Sequence, residues 1–368
     1  MSQRRVISAG PPPAGPYSPA IAAGGFIFVS GILADDERGR FDGEIASQTR
    51  TVLERLGALL EAAGSDLAHA VTLHVYLRRA EDFAAMNAVY RTFWGAHPPS
   101  RTTVVVELLG GDALIEVAAV AVPRGGARQA IAPAGWAESP LPYSYAVRAG
   151  DAVFLAGLVA RDRETNKPVP GSVTAQLEVI VANARDVLGA AGLSLDHVTS
   201  ARIFLTSAAV FPEMNEAWRA QFGNAKPARA TVIAGLMSPE YVIEVTLVAH
   251  AGDRQRLKAD PPSPNLSGAV KAGSMVFLSG MLAGGPGDAV TQTRDTLAKA
   301  RAALARAGAR PEDVVETTVY LPDLAHFAAM NSAYRLVFPD APPARATVGA
   351  ALVNKDACVE IAMTAVLS

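Results

Sequence analysis

The sequence predicts an α+β protein in which one unit of strands, helix, strand, helix and strands is repeated three times along 368 residues. Three observations support this. An Arg precedes a Glu at one spacing in successive thirds: Arg101 and Glu116, Arg229 and Glu244, Arg345 and Glu360. The surrounding sequence recurs as SRTTVVVELLGGDALIEVAAVAV, ARATVIAGLMSPEYVIEVTLVAH and ARATVGAALVNKDACVEIAMTAV. Met-Asn precedes each at fixed distance, at 86–87, 214–215 and 330–331. A period of roughly 120 residues is too long for a solenoid and suits a domain duplicated twice. The predicted domains are 1–124, 133–251 and 260–368.

Within the first unit, FIFVSGILA reads as a strand. EIASQTRTVLERLGALLEAAG reads as an amphipathic helix with Ile45, Val52, Leu56, Leu59 and Ala63 on one stripe and Gly64 as its stop. VTLHVYL is the next strand, and EDFAAMNAVYRTFW a second helix that buries Phe83, Met86, Tyr90 and Phe93. TTVVVEL and ALIEVAAVAV are then expected to form a hairpin about the Gly-Gly-Asp turn at 110–112. The seams at 123–142 and 251–265 are rich in Pro, Gly and charge, show neither period, and read as linkers or terminal arms. With helices on only one face, the sheet's other face is bare, yet the strands are apolar at nearly every position. Three units closing around a pseudo-threefold axis would cover it, giving a covalent pseudo-trimer that is monomeric or part of a higher homo-oligomer.

Half of the residues are apolar and the net charge is −2, as expected of a globular chain with several small cores. No segment has signal-peptide character or membrane-spanning length, so a cytoplasmic protein with no membrane partner is expected. Scattered Lys and Arg argue against a nucleic-acid footprint. The one cysteine, Cys358, excludes an intrachain disulfide and reads as a small core residue. His69, His74, His97, His197, His250 and His326 lack metal-ligand spacing, so neither metal nor organic cofactor is expected.

The motifs GPYSPAIAAGGFIFVSG, the helix glutamines Gln48, Gln176 and Gln292, HVYL or TVYL, MNxxY or MNxxW, Ala/Ser-Arg-x-Thr-Val and the final Ile/Val-Glu-Val/Ile occur in that order. Together they resemble the Rid family, the YjgF-type enamine and imine deaminases, over almost the whole chain. The resemblance implies chorismate-mutase-like α+β domains, ordinarily assembled as homotrimers, with active sites in clefts between adjacent domains. It also implies that a Tyr and a Ser near the first strands line the pocket, here Tyr17 and Ser30. Repeat 2 has Tyr143 but Ala156 at these places, and repeat 3 has Leu266 but Ser279. Repeat 3 also has a shorter connection, GMLAGGPGDAV, after its early strand.

In the expected hairpin Glu116 would face residue 105, leaving Arg101 offset by about four residues, or roughly 13 Å. Each Arg is therefore expected to meet the Glu of a neighbouring repeat. Arg101, Arg229 and Arg345 would grip a substrate carboxylate, and Glu116, Glu244 and Glu360 would polarise water and move protons. Thr103, Thr231 and Thr347 would face the same cavity. Asn87, Asn215 and Asn331 fit ligand binding and backbone hydrogen bonding equally. The expected activity is hydrolysis of a carboxylate-bearing, 2-aminoacrylate-like enamine or imine to a 2-oxo acid and ammonia, or a related step on a dedicated pathway substrate. The alternatives are a non-catalytic carboxylate-binding or regulatory module, and another reaction on a cyclic carboxylate, as in chorismate hydrolases.

Overall fold

A computed structural model gives the structure and describes residues 4–10 and 12–367. Repeat 1 holds β1 (Arg5–Ile7), β2 (Ala20–Ala23), β3 (Phe26–Ile32), α1 (Ile45–Ala62), β4 (Ala70–Leu77), α2 (Phe83–Tyr90), β5 (Ser100–Val105) and β6 (Ile115–Ala121). Repeat 2 holds β7 (Gln129–Ile131), β8 (Ala146–Ala149), β9 (Ala152–Leu155), α3 (Val173–Ala190), β10 (Val198–Leu205), α4 (Phe211–Phe222), β11 (Ala228–Ile233) and β12 (Ile243–His250). Repeat 3 holds β13 (Arg254–Lys258), β14 (Ser267–Ala272), β15 (Met275–Leu282), α5 (Ala289–Arg306), β16 (Val314–Leu321), α6 (Phe327–Val337), β17 (Ala344–Gly349), β18 (Ala351–Leu352) and β19 (Glu360–Val366).

The expected hairpin does not form. The first sheet runs β1-β2-β3-β6-β4-β5, so β6 returns antiparallel between β3 and β4 while β5 lies parallel to β4 at the edge. The cause is α2: a helix between β4 and β5 makes a crossover, which delivers the next strand parallel to the last. The seams also differ from expectation, since each supplies the first strand of the following repeat. β7 pairs with β8 and β13 with β14, as β1 pairs with β2. RQRLK, the sequence of β13, is a polar edge strand, which an apolar pattern does not reveal.

α1 buries Val52, Leu53, Leu56 and Leu60 completely against its sheet. Each such side chain contributes about 1.5–3 kcal/mol of transfer free energy. Gly64, at φ +83°, takes the left-handed conformation that ends the helix. The sheets' opposite faces meet around the pseudo-threefold axis. Phe28, Phe154 and Phe277 cluster at one end, and Tyr76, Phe204 and Tyr320 at the other. Hydrogen bonds stitch the ring, with Thr102 to Thr246 at 2.7 Å joining repeats 1 and 2 and Arg202 to Glu316 at 3.0 Å joining repeats 2 and 3. Short bridges pair Val105 with Gly235, Ile233 with Ala351 and Glu107 with Gly349.

Candidate active sites between the repeats

Each key Arg stands near the start of an edge strand, β5, β11 or β17, and the next repeat docks on that edge. The Ser144 amide donates to the Pro99 carbonyl at 3.1 Å, Ser267 to Pro227 at 3.0 Å and Ser18 to Pro343 at 3.1 Å. The ring therefore closes with repeat 2 on repeat 1, repeat 3 on repeat 2, and repeat 1 on repeat 3.

Within a repeat, the Arg and Glu are far apart for a different reason from the expected one. Tyr76 pairs with Glu116 on one side and with Val104 on the other. Arg101 and Glu116 are thus two strands apart across the sheet and three residues out of step, about 14 Å at ordinary spacings. Across a junction the arrangement reverses. Arg101 lines a cleft with Tyr143, Thr103 and Glu244. Arg229 is electrostatically coupled to Glu360, and Arg345 to Glu116 and Tyr17. Each Arg thus meets the Glu of the next repeat around the ring.

The guanidinium groups lie between aromatic rings. Arg345 sits 5.2 Å from the ring centre of Tyr17, 5.6 Å from Phe327 and 4.9 Å from Tyr334. Arg101 has Phe83 at 5.7 Å, Tyr90 at 4.7 Å and Tyr143 at 6.0 Å, and Arg229 has Phe211 at 5.8 Å and Trp218 at 5.6 Å. The second-helix aromatics, expected only as core, therefore also form cation–π walls, seven residues apart on one helix face.

Arg101, Arg229 and Arg345 are 3–5% exposed, and no carboxylate forms a salt bridge with them among the described residues. Nη1 of Arg101, Nε and Nη1 of Arg229 and Nη2 of Arg345 are buried without hydrogen-bond partners. Such orphaned donors are costly unless an anion satisfies them. Burial pulls the Arg229 guanidinium down to about 10, which leaves it charged at neutral pH.

The opposing carboxyls are buried at 3–5% exposure. Burial pushes Glu116, Glu244 and Glu360 up to about 8. Arg345 and the Thr347 amide only partly oppose this at Glu116, as Thr103 and Arg101 do at Glu244, and Thr231 and Arg229 at Glu360. The predicted threonines thus present a backbone amide to each glutamate, while the Thr231 and Thr347 hydroxyls stay buried and unpartnered.

Two supports for the glutamates were given no role from the sequence. The first is a glycine. A Cβ at Gly31, Gly157 or Gly280 would collide with the carboxylate of Glu116, Glu244 or Glu360, so these carboxyls pack directly against backbone. The recurring SG, AG and SG pairs at 30–31, 156–157 and 279–280 were the available signal. The second is the helix glutamine. Gln48 Nε2 donates to the Asp112 carbonyl at 3.0 Å and its Oε1 accepts from the Leu114 amide at 2.8 Å, fixing the chain just before Glu116. Gln176 holds Glu240 and Val242, and Gln292 holds Asp356 and Cys358, in the same way.

The remaining expected residues are distributed unequally. Tyr17 and Ser30 share the cleft of Arg345, not that of Arg101. The Ser30 hydroxyl donates to the Ser18 carbonyl at 2.6 Å and accepts from the Arg345 amide at 2.8 Å, so its proton is committed. This geometry fits alignment of the arginine strand rather than the expected catalytic role. Ser279 does the same for Arg229, donating to Ser267 at 2.6 Å and accepting from the Arg229 amide at 2.8 Å. Where Ala156 replaces this serine, the Gly157 amide donates to the Arg101 carbonyl at 3.1 Å instead. Asn215 Oδ1 accepts from Arg229 Nη2 at 2.7 Å, whereas Asn87 Nδ2 donates to the Phe83 carbonyl at 2.8 Å. Asn331 lies beside Arg345 near Gly15, with Oδ1 buried and unpartnered.

Three like repeats around an axis, each placing an aromatic-walled guanidinium near a buried carboxyl of the next, define a tandem pseudo-trimer. The family model described as Endoribonuclease L-PSP matches residues 7–123, 136–251 and 257–367, so the chain belongs to that family, the Rid or YjgF proteins, in three tandem copies. A RutC family protein of Pyrococcus horikoshii is 47% identical over 113 residues, which are 30% of this chain and 90% of the relative. The 3-aminoacrylate deaminase RutC of Acinetobacter baylyi is 42% identical over 113 residues, again 30% of this chain and 90% of the relative. The crystal structure of RidA from an Antarctic Psychrobacter is 30% identical and covers 33% of this chain and 98% of its own, with a TM-score of 0.32. No helix among the described residues is long and apolar enough to cross a membrane.

Proposed function

We propose that the chain hydrolyses carboxylate-bearing enamines and imines to 2-oxo acids and ammonia in its inter-repeat clefts. The observation that carries this reading is the threefold pairing of an orphaned, buried guanidinium with a glutamic acid held protonated to about pH 8. The 3-aminoacrylate deaminase activity in one relative's name supports it at the level of reaction class. Net charge −2 and enclosed guanidinium groups favour a small acid over a polynucleotide.

For an enamine such as 2-aminoacrylate, the Arg fork takes the carboxylate and orients the double bond. The glutamic acid gives its proton to the terminal carbon, forming the C=N bond of the imine. The resulting glutamate accepts a proton from water as the oxygen adds to C2. It returns that proton to nitrogen and then takes the hydroxyl proton as the C–N bond breaks. Ammonia and the 2-oxo acid leave, and the glutamic acid is restored. A carboxyl with pKa near the working pH suits alternating donation and acceptance.

The cleft of Arg345, Tyr17, Ser30 and Glu116 holds the full set of expected residues. The test is ammonia release from 2-aminoacrylate generated in situ, comparing wild type with Glu116→Gln/Glu244→Gln/Glu360→Gln. Loss of at least about a hundredfold, with binding of a 2-oxo acid retained, is the expected result. Unchanged turnover would reject the proton-transfer role, and an inert but ligand-binding wild type would leave the carboxylate-binding module.

A further inference from the structure

One position at the cleft mouths differs in charge among the three repeats, although the Arg and Glu behind it do not. Four residues beyond each glycine that packs on a catalytic-site glutamate stand Asp35, Arg161 and Gly284. Arg161 lines the same cleft as Arg101, a cavity of about 90 Å³ that also includes Tyr143, Ser238, Tyr241 and Glu244. Its Nη1 is held by the Asn166 carbonyl at 3.1 Å and Asn166 Oδ1 at 3.2 Å, and its guanidinium lies 5.6 Å from the Tyr241 ring centre. Nε and Nη2 make no hydrogen bond among the described residues, and no carboxylate pairs with the group. The second guanidinium is therefore braced by its own loop and has donors to spare.

Glu244 lies within electrostatic reach of both Arg101 and Arg161. A molecule whose reacting carbon sits at Glu244 thus shares its cleft with two guanidinium groups. The cleft of Arg345 is the converse, since Asp35 stands there near Tyr17 and is paired with Arg55 at 3.1 Å. Arg55 compensates the Asp35 charge, so that mouth offers a second acid an ion pair and not an unpaired guanidinium. At the cleft of Arg229 the position is Gly284, beside which the Lys299 ammonium is held by the Leu282 carbonyl at 2.9 Å.

We infer that the Arg101 cleft is a dicarboxylate site, binding the 2-imino or 2-enamino form of a short dicarboxylic acid with one carboxylate on Arg101 and the other on Arg161. This rests on the deaminase reading above and assigns that cleft a substrate class. The reaction is unchanged: water supplies the oxygen, C=N is replaced by C=O, and nitrogen leaves as ammonia. Charge-assisted bonds from a semi-buried fork are worth enough to set selectivity between one-acid and two-acid substrates.

The experiment compares imines generated in situ from aspartate with those from alanine by amino-acid oxidases, in the full chain and in Arg161→Gln. The variant is expected to lose about tenfold to a hundredfold in kcat/KM for the dicarboxylic imine, while the alanine-derived imine stays within about twofold. Arg161→Lys, which keeps the charge, should recover part of the preference. Equal losses on both substrates, or an unchanged ratio, would overturn the assignment. Calorimetric titration with 2-oxoglutarate and 2-oxobutanoate separates this from failure of the deaminase reading. Should wild type hydrolyse neither imine, one 2-oxoglutarate site per chain that Arg161→Gln removes still supports the dicarboxylate cleft. An Arg161-independent titration refutes it.

Discussion

Replacing Gly31, Gly157 and Gly280 by Ala tests whether the packing of the glutamates on bare backbone sets the chemistry. In the Glu116 cleft a new Cβ would overlap Oε1 and lie 2.7 Å from the carboxyl carbon, and at Glu360 the carboxyl carbon would also be 2.7 Å away. At Glu244 the corresponding separation is 3.0 Å, with Thr102 close behind at 3.2 Å. The carboxyl must retreat by about 1 Å, a displacement that costs on the order of a hundredfold when the group transfers protons. A single variant alters one cleft and leaves the other two as they were, so the triple variant is needed to expose the full factor. Steady-state ammonia release reads the loss, while circular dichroism and thermal melting check that the fold persists at an overpacking cost of about 1–3 kcal/mol per site. A folded triple variant with wild-type turnover would refute the argument that these carboxyls must sit where the glycines put them.

Three further outcomes follow from the buried charges. kcat/KM should be level at lower pH and fall as the pH rises through about 8, because the free protein needs its glutamic acids protonated; a limb that instead rises there would contradict the assignment. The same carboxyls favour the folded state most below the ordinary Glu value of 4.5, and their contribution is lost as pH rises to about 8, since the native protein binds more protons across that window. Urea titrations at pH 5 and pH 8 should show this decline in wild type and a smaller one in the triple Gln variant; equal declines would contradict it. Arg345→Met should lower turnover but raise ligand-free stability by about 1–3 kcal/mol, because a buried and incompletely satisfied charge is replaced by an apolar chain of similar length; a lower Tm would count against the orphaned-charge reading.

The sequence revealed the repeat, the α+β class, both helices of each unit and the covered inner face, because these depend on periodicity and on apolar surface needing cover. Strand order was less legible. ALIEVAAVAV and TTVVVEL look like a hairpin in one dimension, and only the crossover through α2 explains why β4 lies between them. The expectation that Arg101 meets a glutamate from another repeat did not depend on the hairpin, since either strand order leaves Arg101 and Glu116 too far apart within one sheet. The polar strand RQRLK was missed because pairing on one edge needs no apolar face. At the site, the Arg and Glu positions were visible through recurrence. Gly31 and Gln48 recur equally well, but their roles lie in a missing side chain and in hydrogen bonds to a loop 64 and 66 residues away. Arg161 was hidden for the opposite reason, because only one repeat has it.

The central claim is that every cleft joins the Arg of one repeat to the Glu of the next. Pairwise combination of Arg→Met at 101, 229 and 345 with Glu→Gln at 116, 244 and 360 tests it most directly, with turnover measured for each folded double variant. The same-cleft pairs, 101 with 244, 229 with 360 and 345 with 116, should be no worse than the more damaging single change, because both substitutions disable one site. Pairs taken from a single repeat, 101 with 116, 229 with 244 and 345 with 360, should lose the shares of two clefts. If the single-repeat pairs are the non-additive ones, the sites lie within repeats and the account is wrong.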